Sequence, residues 1–232
     1  MESLVVFSGG MDSTVLLTQE VRTKGSQNVL AVSFDYGQRH VRELQAAQAI
    51  VSLLEVEWTI VNLASVFAHM KREGGSSLLF GQEVPDGHYA QANMVATIVP
   101  NRNMIMLSIA AGLAESREIP VVCTAVHAGD HFIYPDCRPE FIADLRAAVW
   151  DATEKRVTLE APFSSLTKAG IAQLGSNIGA PLYLSWSCYK GGSIHCGTCG
   201  TCVERIEAFR DAGVSDPTVY EDFEKGLELV AS

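Results

Sequence analysis

Apolar residues recur along the chain in two alternating patterns. Short runs rich in β-branched residues predict strands at residues 4–7, 28–34, 56–63 and 120–126. Longer segments with apolar residues on one face predict helices at residues 12–24, 41–54, 103–116, 138–150, 165–179, 203–213 and 216–227. Because strands and helices alternate, the sequence predicts an α/β fold with a parallel sheet.

One long segment follows neither pattern. Residues 71–93 are rich in glycine and show no clear hydrophobic period. Such a segment is typical either of a lid over a binding site or of a plain surface excursion. The pattern itself favours neither interpretation.

Composition and charge narrow the class of protein. Apolar residues make up 47% of the 232 residues, which is enough for a sizeable core. No apolar run approaches the roughly 18 residues of a membrane span, and the start "MESLVVFSGG" lacks the features of a secretory signal. The net charge of -10 disfavours non-specific nucleic-acid binding, which depends on Lys and Arg. We therefore expect a cytoplasmic protein with a small-molecule substrate, and neither nucleic acid nor membrane as a partner.

A glycine-rich turn follows the first predicted strand, in "LVVFSGGMDSTVLL". It is neither a Walker-type loop, since no Lys follows the second Gly, nor a dinucleotide fingerprint. Gly9 and Gly10 permit a tight turn with exposed N–H groups, and the next helix directs its positive end at the same point. Ser8 and Ser13 add hydroxyl groups, and Asp12 could cap the helix or hold magnesium. This combination suits a pyrophosphate group.

Further polar clusters follow the later strands. "FDYGQRH" places Asp35 and Gln38 at the end of the second strand, where ligands of open α/β sheets bind. In "VPNRNM", Arg102 begins a helix, and its planar guanidinium suits phosphate or carboxylate. A loop after the fourth strand collects groups that could contact a heterocyclic base: Asp130, Tyr134, Asp136 and Arg138. In that loop we expect Cys137 to pack rather than to act as a nucleophile, and His127 and His131 could be ordinary loop residues.

Four cysteines lie within 15 residues near the carboxyl end, in "SCYKGGSIHCGTCGTC". Cys188, Cys196, Cys199 and Cys202 give a C-x7-C-x2-C-x2-C spacing that can close a tetrahedral zinc site. Since four protein ligands leave no open position, we expect one structural Zn²⁺ per chain. An iron–sulfur cluster, free thiols, or His195 as a competing ligand are the alternatives.

The loop S-G-G-M-D-S-T resembles the SGGxDS loop of the ATP pyrophosphatases, the PP-loop enzymes. With "FDYGQRH", "VPNRNM", "YPDCRPEF", "SWSCYKGG" and "HCGTCGTC" in order, nearly the whole chain resembles the 7-cyano-7-deazaguanine synthase family. The resemblance implies a Rossmann-like, adenine nucleotide α-hydrolase-like domain with helices on both faces of the sheet, at residues 1–182. It also implies a zinc-binding helical carboxyl-terminal region, at residues 183–232, and a homodimer.

The implied reaction is a carbon–nitrogen ligation in queuosine biosynthesis. 7-Carboxy-7-deazaguanine, ammonia and ATP, with Mg²⁺, would give 7-cyano-7-deazaguanine, AMP and pyrophosphate through an adenylated carboxylate and an adenylated amide. The resemblance implies catalytic roles for Asp12, Arg102 and Lys168, with the deazaguanine held by Asp130, Tyr134, Asp136 and Arg138. It implies a nucleotide-binding set formed by Ser8, Gly9, Gly10, Met11, Asp12, Ser13, Thr14, Val15, Leu16, Leu17, Thr18, Asp35 and Gln38.

Two positions depart from the family pattern. Phe132 and Ile133 stand where smaller residues are expected, and Asn101 stands where Gly is common before Arg102. These departures leave open a related ligase that stops at the amide. A PP-loop tRNA-modifying enzyme and a non-catalytic zinc-ribbon module are further alternatives, although the acidic composition disfavours the first and the SGGMDS loop the second.

Overall fold

The computed structural model describes residues 1–37, 42–70, 76, 78, 84–88, 97–129 and 134–231. Within these residues five strands form one sheet in the order β3-β2-β1-β4-β5, and every neighbouring pair is parallel. The strands are β1 Ser3–Val6, β2 Val29–Asp35, β3 Glu57–Asn62, β4 Val121–Cys123 and β5 Thr158–Glu160. The strand order reverses on either side of β1, so the fold is of the predicted doubly wound α/β class.

The helices connect successive strands and then close the chain. They are α1 Met11–Lys24, α2 Arg42–Leu53, α3 Ala64–Ala68, α4 Arg102–Ser116, α5 Pro139–Ala152, α6 Lys168–Asn177, α7 Gly200–Ala212 and α8 Phe223–Val230. Among them, none combines the length and hydropathy that a membrane crossing requires.

Each face of the sheet is covered by a separate apolar cluster. Leu4 and Val32 pack on one face with Leu107 of α4 and Leu145 of α5. The opposite face carries a second cluster, which includes Val5, Phe7, Val15, Ile50 and Ile171. The central strands are buried on both sides, which explains why their sequences are the continuous apolar runs from which they were predicted.

Two elements escaped the sequence prediction, β5 and the short helix α3. Of the three residues of β5 only Leu159 is buried, so this edge strand has neither a continuous apolar run nor enough length for an alternation. Helix α3 has five residues, too few to show a helical period.

Candidate active site and metal centre

A cavity of about 240 Å³ opens at the carboxyl edge of the sheet. Its lining comes from the ends of β1, β2 and β4, from the start of α4 and α6, and from residues near the cysteines. In a doubly wound sheet this is where ligands bind, because the strand order reverses beside β1. Several sequence-predicted residues meet there: Ser8, Gly10, Met11, Asp12, Ser13, Arg102, Tyr134 and Lys168.

The glycine-rich loop is a tight turn between β1 and α1. Gly9 has a φ of 82°, in the left-handed region that favours glycine. The Gly10 N–H donates to Ser8 Oγ (3.2 Å), and the Ser8 and Ser13 hydroxyls lie 3.1 Å apart. Gly10 is the N-cap of α1, and no side chain caps the first N–H groups of this helix. Because Gly10 and the first turn of α1 line the cavity, the positive end of the helix dipole lies at the cavity wall.

Replacing Gly9 by Ala tests how tightly this loop is packed. A Cβ at Gly9 would lie 2.5 Å from the Glu43 carbonyl oxygen and 2.8 Å from the Ala47 nitrogen, both on α2. At Gly179, also with positive φ (65°), a Cβ meets no atom within 4 Å, so Gly179→Ala is a matched control for backbone strain. That strain alone costs about 1–2 kcal/mol. We expect Gly9→Ala to lower the free energy of unfolding by more than the control, as measured by denaturant unfolding. Equal stability of the two variants would contradict the packing argument.

Asp12 and Lys168 form an ion pair in the cavity wall. Lys168 Nζ lies 2.7 Å from Asp12 Oδ2, joining the start of α6 to the first turn of α1. Burial alone would raise the pKa of Asp12, but Lys168 and His127 outweigh it and leave this pKa below its usual value. Asp12 is therefore an anion at neutral pH. The alternative that Asp12 caps α1 is wrong, because the helix has no side-chain cap.

Two more groups complete this network. Glu204 Oε2 on α7 lies 3.3 Å from Lys168 Nζ, and His127 Nε2 lies 3.2 Å from it. The Lys168 ammonium is thus shared by two carboxylates on different helices. Asp12 lines the cavity, and its Oδ1 is buried and accepts no hydrogen bond from the described residues, so one oxygen of this carboxylate lacks a partner. That orphaned oxygen fits the predicted Mg²⁺, a cation that prefers carboxylate ligands.

Arg102 lies in a group of aromatic rings at the other side of the cavity. Its guanidinium carbon lies 5.7 Å from the ring centroid of Tyr36 and 5.9 Å from that of Tyr134. Burial raises the pKa of Tyr36 to about 12, and Arg102 offsets only part of this effect. The Arg102 charge and the tyrosine faces therefore present both a cation and stacking surfaces for a flat ligand.

Asn101, immediately before Arg102, stands where Gly is common in the family pattern, and the structure explains this departure. Its φ of 58° and ψ of 23° place it in the left-handed region. After Gly, Asn is among the residues that tolerate this conformation best. Asn therefore keeps the backbone that Gly would give here, and the exposed Asn101 side chain changes no group of the cavity. The other departure, at Phe132 and Ile133, lies outside the described residues.

Among the predicted site residues outside the loop and α1, the described residues Asp35, Asp136 and Arg138 are not part of the cavity lining. The carboxylate of Asp35 accepts hydrogen bonds from the Gly37 N–H (3.1 Å) and the Asn62 side chain (3.3 Å), an arrangement that shapes the turn after β2. Asp136 accepts a hydrogen bond from the Asn103 N–H at the start of α4 (2.8 Å). Arg138 is exposed at the start of α5. Gln38 and Asp130 lie outside the described residues.

The second half of the predicted nucleotide set belongs to the core. Val15, Leu16 and Leu17 are fully buried in the apolar cluster under α1, and none lines the cavity. Thr18 is buried and donates to the Thr14 carbonyl oxygen (2.8 Å). These four side chains fix the position of α1 beneath the loop.

The four clustered cysteines converge on one point. The Sγ atoms of Cys188, Cys196, Cys199 and Cys202 all lie within 4.8 Å of one another. A tetrahedral zinc–thiolate centre with bonds of about 2.3 Å requires sulfur separations of about 3.8 Å. The Cys196 and Cys202 sulfurs, 3.9 Å apart, match that value. The donor set and its compactness fit a closed four-thiolate metal site.

Local backbone geometry favours a thiolate at Cys196. The N–H groups of Thr198 and Cys199 point at Cys196 Sγ, at 3.4 and 3.3 Å. The neighbouring cysteines and these donors hold the pKa of Cys196 well below that of a free thiol. Cys199 and Cys202 stand at the N-terminus of α7, whose dipole also favours negative charge. Among the four sulfurs, Cys196 Sγ is the one that these backbone donors favour as an anionic ligand.

His195 is directed away from a ligand role. Its Nε2 accepts a hydrogen bond from the Ser187 N–H (3.0 Å), and its ring lies 4.3 Å from that of Trp186. Burial and the nearby Arg205 lower the pKa of His195 to about 4. A neutral imidazole in this position supports the chain around the cysteines. The alternative of His195 as a competing ligand is not supported by this geometry.

Part of the glycine-rich segment is bound to the cysteine centre. Asp86 pairs with Lys190 and accepts a hydrogen bond from the Thr198 hydroxyl (2.6 Å). The Gly87 N–H donates to the Thr198 carbonyl oxygen (3.1 Å), and Val84 packs against the cysteines. The described residues 84–88 are therefore anchored on the metal centre. The rest of residues 71–93, apart from Ser76 and Leu78, lies outside the described residues.

The sequence of the chain matches a known family. Residues 2–213 match the family described as "Queuosine biosynthesis protein QueC". The chain belongs to the QueC family. Two of the relatives that carry the name 7-cyano-7-deazaguanine synthase illustrate the similarity. The protein of Rhizobium etli is 51% identical over 225 residues, covering 96% of this chain and 93% of the relative. That of Porphyromonas gingivalis is 48% identical over 221 residues, covering 95% and 97%.

A solved structure shares the fold at much lower identity. The NMN synthetase from Francisella tularensis superposes with a TM-score of 0.51 and 13% identity, covering 99% of this chain and 82% of that chain. This likeness, together with the sheet order, confirms the predicted Rossmann-like fold. It carries no information about the substrate.

Several cavity residues were not predicted from the sequence. Glu43 and Tyr36 come from the segment that follows β2, and Tyr189 and Glu204 come from the region around the cysteines. Tyr36 and Tyr189 do lie within the motifs "FDYGQRH" and "SWSCYKGG", which is the only sequence signal for them. Glu204 has no motif, and its role is visible only through its contact with Lys168.

Proposed function

We propose that the chain is a 7-cyano-7-deazaguanine synthase, an ATP-dependent carbon–nitrogen ligase of queuosine biosynthesis. It converts 7-carboxy-7-deazaguanine and ammonia to 7-cyano-7-deazaguanine, with release of AMP and pyrophosphate. The observation that carries this proposal is the extent of similarity to relatives of that name, about half identical over 96% of the chain. The cavity supports it, because it joins a phosphate-binding loop to an aromatic surface suited to a flat heterocycle.

Both oxygen atoms of the substrate carboxylate must leave, and each is a poor leaving group until it is adenylated. The substrate carboxylate attacks the α-phosphorus of ATP and expels pyrophosphate; ammonia then displaces AMP to give an amide. The amide oxygen attacks a second ATP in the same way, and loss of AMP with the amide protons leaves the nitrile. Both adenylations create charge on the departing pyrophosphate, so donors that are fixed before reaction lower both barriers.

Specific residues would supply those donors. The N–H groups of the loop at Gly9 and Gly10, with the Ser8 and Ser13 hydroxyls, would bind the phosphates. Lys168 would neutralise the pyrophosphate, and the free oxygen of Asp12 would hold Mg²⁺, which neutralises phosphate charge when bound. Arg102, Tyr134 and the loop residues Asp130, Asp136 and Arg138 remain candidate substrate contacts. Gln38 and Asp35 remain candidates on the nucleotide side.

The metal and assembly are part of the same proposal. The four cysteines would hold one Zn²⁺ as a structural ion, because all four positions of a tetrahedral site are protein sulfurs. We also propose a cytoplasmic homodimer that acts on small molecules. Residues 1–182 would form the ATP-binding domain and residues 183–232 the metal-binding region.

The product distinguishes nitrile synthesis from a ligase that stops at the amide. Purified protein is incubated with 7-carboxy-7-deazaguanine, ammonium and Mg–ATP, and products are measured by mass spectrometry with quantified AMP. We expect the nitrile and two AMP per nitrile formed, since each adenylation releases one AMP. One AMP per product, with the amide accumulating, would show the shorter reaction. Absence of AMP would refute the enzymatic assignment.

A further inference from the structure

Glu43 is a cavity residue for which the reaction above supplies no partner. It is the second residue of α2 and lines the cavity together with Arg102, Tyr36 and Tyr189. Within the residues that the structure describes, its carboxylate makes no hydrogen bond or ion pair of ordinary length. Burial raises the pKa of Glu43 to about 7, although Arg102 acts in the opposite direction. Glu43 is only partly buried in the free protein; a ligand that fills the cavity excludes water from this carboxylate, which is then costly unless the ligand donates to it.

The surroundings restrict what that ligand can be. Arg102 stacks against Tyr36 and Tyr134, so the same part of the cavity already contains a fixed cation. A second full cation is disfavoured beside Arg102, whereas neutral N–H donors on a flat ring are not. The tyrosine faces in turn favour an aromatic ring. The chemistry required is a planar heterocycle with neutral donors along one edge.

We propose that Glu43 determines specificity by accepting two hydrogen bonds from the amidine-like edge of the 7-deazaguanine ring, its ring N–H and exocyclic amino group. The inference rests on the proposed function. These two donors are adjacent and parallel, and the two oxygens of one carboxylate match them in a bidentate pair. Donation to both oxygens also favours the ionised form of Glu43. The negative charge repels the substrate carboxylate, so the ring enters with its acidic end directed away from Glu43.

The other substrates match Glu43 less well. The corresponding edge of the ATP adenine presents one amino donor beside a ring nitrogen acceptor, whose lone pair would face the second carboxylate oxygen. Ammonium would place a second cation next to Arg102. Adenine and ammonium therefore each match the acceptor pattern and charge of this site less well than the deazaguanine edge does.

Glu43→Gln converts one acceptor oxygen into an N–H donor and so predicts an exchange of specificity. With the deazaguanine acid, we expect kcat/KM to fall by about 10- to 100-fold, as for loss of a hydrogen bond to a charged group. The 2-oxo analogue, 7-carboxy-7-deazaxanthine, presents a ring N–H beside a carbonyl, which the amide can match. We expect the variant's preference for the 2-amino over the 2-oxo substrate to shrink by at least about tenfold relative to the wild type. The KM for ATP and that for ammonium should be unchanged.

Controls separate this proposal from loss of folding and from failure of the proposed function. Glu140→Gln, an exposed substitution in the first turn of α5, should leave the preference unchanged. Equal metal content shows that a variant is folded, and a gain of activity on the 2-oxo analogue cannot arise from misfolding. An unchanged preference in Glu43→Gln, or a change confined to the KM for ATP or ammonium, would overturn the inference. If the wild type itself forms no AMP with the deazaguanine acid, the proposed function fails before the variant is considered.

Discussion

Lys168→Ala is expected to lower ATP cleavage by about 10²- to 10³-fold while the metal stays bound, as for loss of one preorganised donor to a developing anion. Lys168 lies at the end of a cavity that also contains the glycine-rich loop, and its ammonium is fixed by Asp12 at 2.7 Å and Glu204 at 3.3 Å. A cation fixed in this way needs no reorganisation when pyrophosphate departs. The measurement is single-turnover formation of AMP at saturating substrates, with metal content determined in parallel.

Matched substitutions identify the origin of that effect. Lys225→Ala removes an exposed lysine of α8 and should leave the rate unchanged. Glu204→Gln keeps the ammonium but removes one of the two carboxylates that position it, so we expect a smaller fall in rate than for Lys168→Ala. If Glu204→Gln reduced the rate as much as Lys168→Ala, with metal and fold intact, Glu204 itself would be essential. If Lys168→Ala retained the wild-type rate, the assignment of Lys168 would be wrong.

The parts of the site that the sequence predicted are those encoded by consecutive residues. The SGGMDS loop and the C-x2-C steps are contiguous, so their residue types and spacing carry the chemistry without knowledge of the fold. Lys168 was assigned through family resemblance, and the structure brings it to Asp12, 156 positions away along the chain. Such a long-range contact has no periodic signal in the sequence.

The residues that prediction missed or misplaced follow from the same limit. Glu43 and Glu204 come from helices separated by most of the chain, and only packing shows that they line one cavity. Asp35 and Asp136 were predicted from their position after strands, where an acid can equally accept backbone N–H groups. Val15–Thr18 continue the loop motif in sequence, but the helical turn rotates them into the core.

Replacing Cys202 by Ser should have the largest effect on stability. Zinc bound by four thiolates contributes on the order of 10 kcal/mol of apparent folding free energy in small domains, so loss of one ligand is expected to cost several kcal/mol. We expect metal content to fall well below one zinc per chain and the unfolding midpoint to decrease. A chelator should lower the midpoint of the wild type and leave that of the variant nearly unchanged. Cys123→Ala, in buried β4 outside the cluster, should keep both the metal and the response to chelator.

The same variant also tests whether the metal centre supports the ATP site. Cys202 and Glu204 both belong to α7, and Glu204 reaches Lys168 in the cavity wall. In addition, the backbone N–H of Trp186, two residues before Cys188, donates to the carbonyl oxygen of Gly9 in the proposed phosphate-binding loop (2.9 Å). Release of the metal frees both connections, so AMP formation should fall together with metal content rather than after unfolding. Iron with acid-labile sulfide in the wild type would instead show a cluster at this site, and full ATP turnover by metal-free protein would show that the two sites are independent.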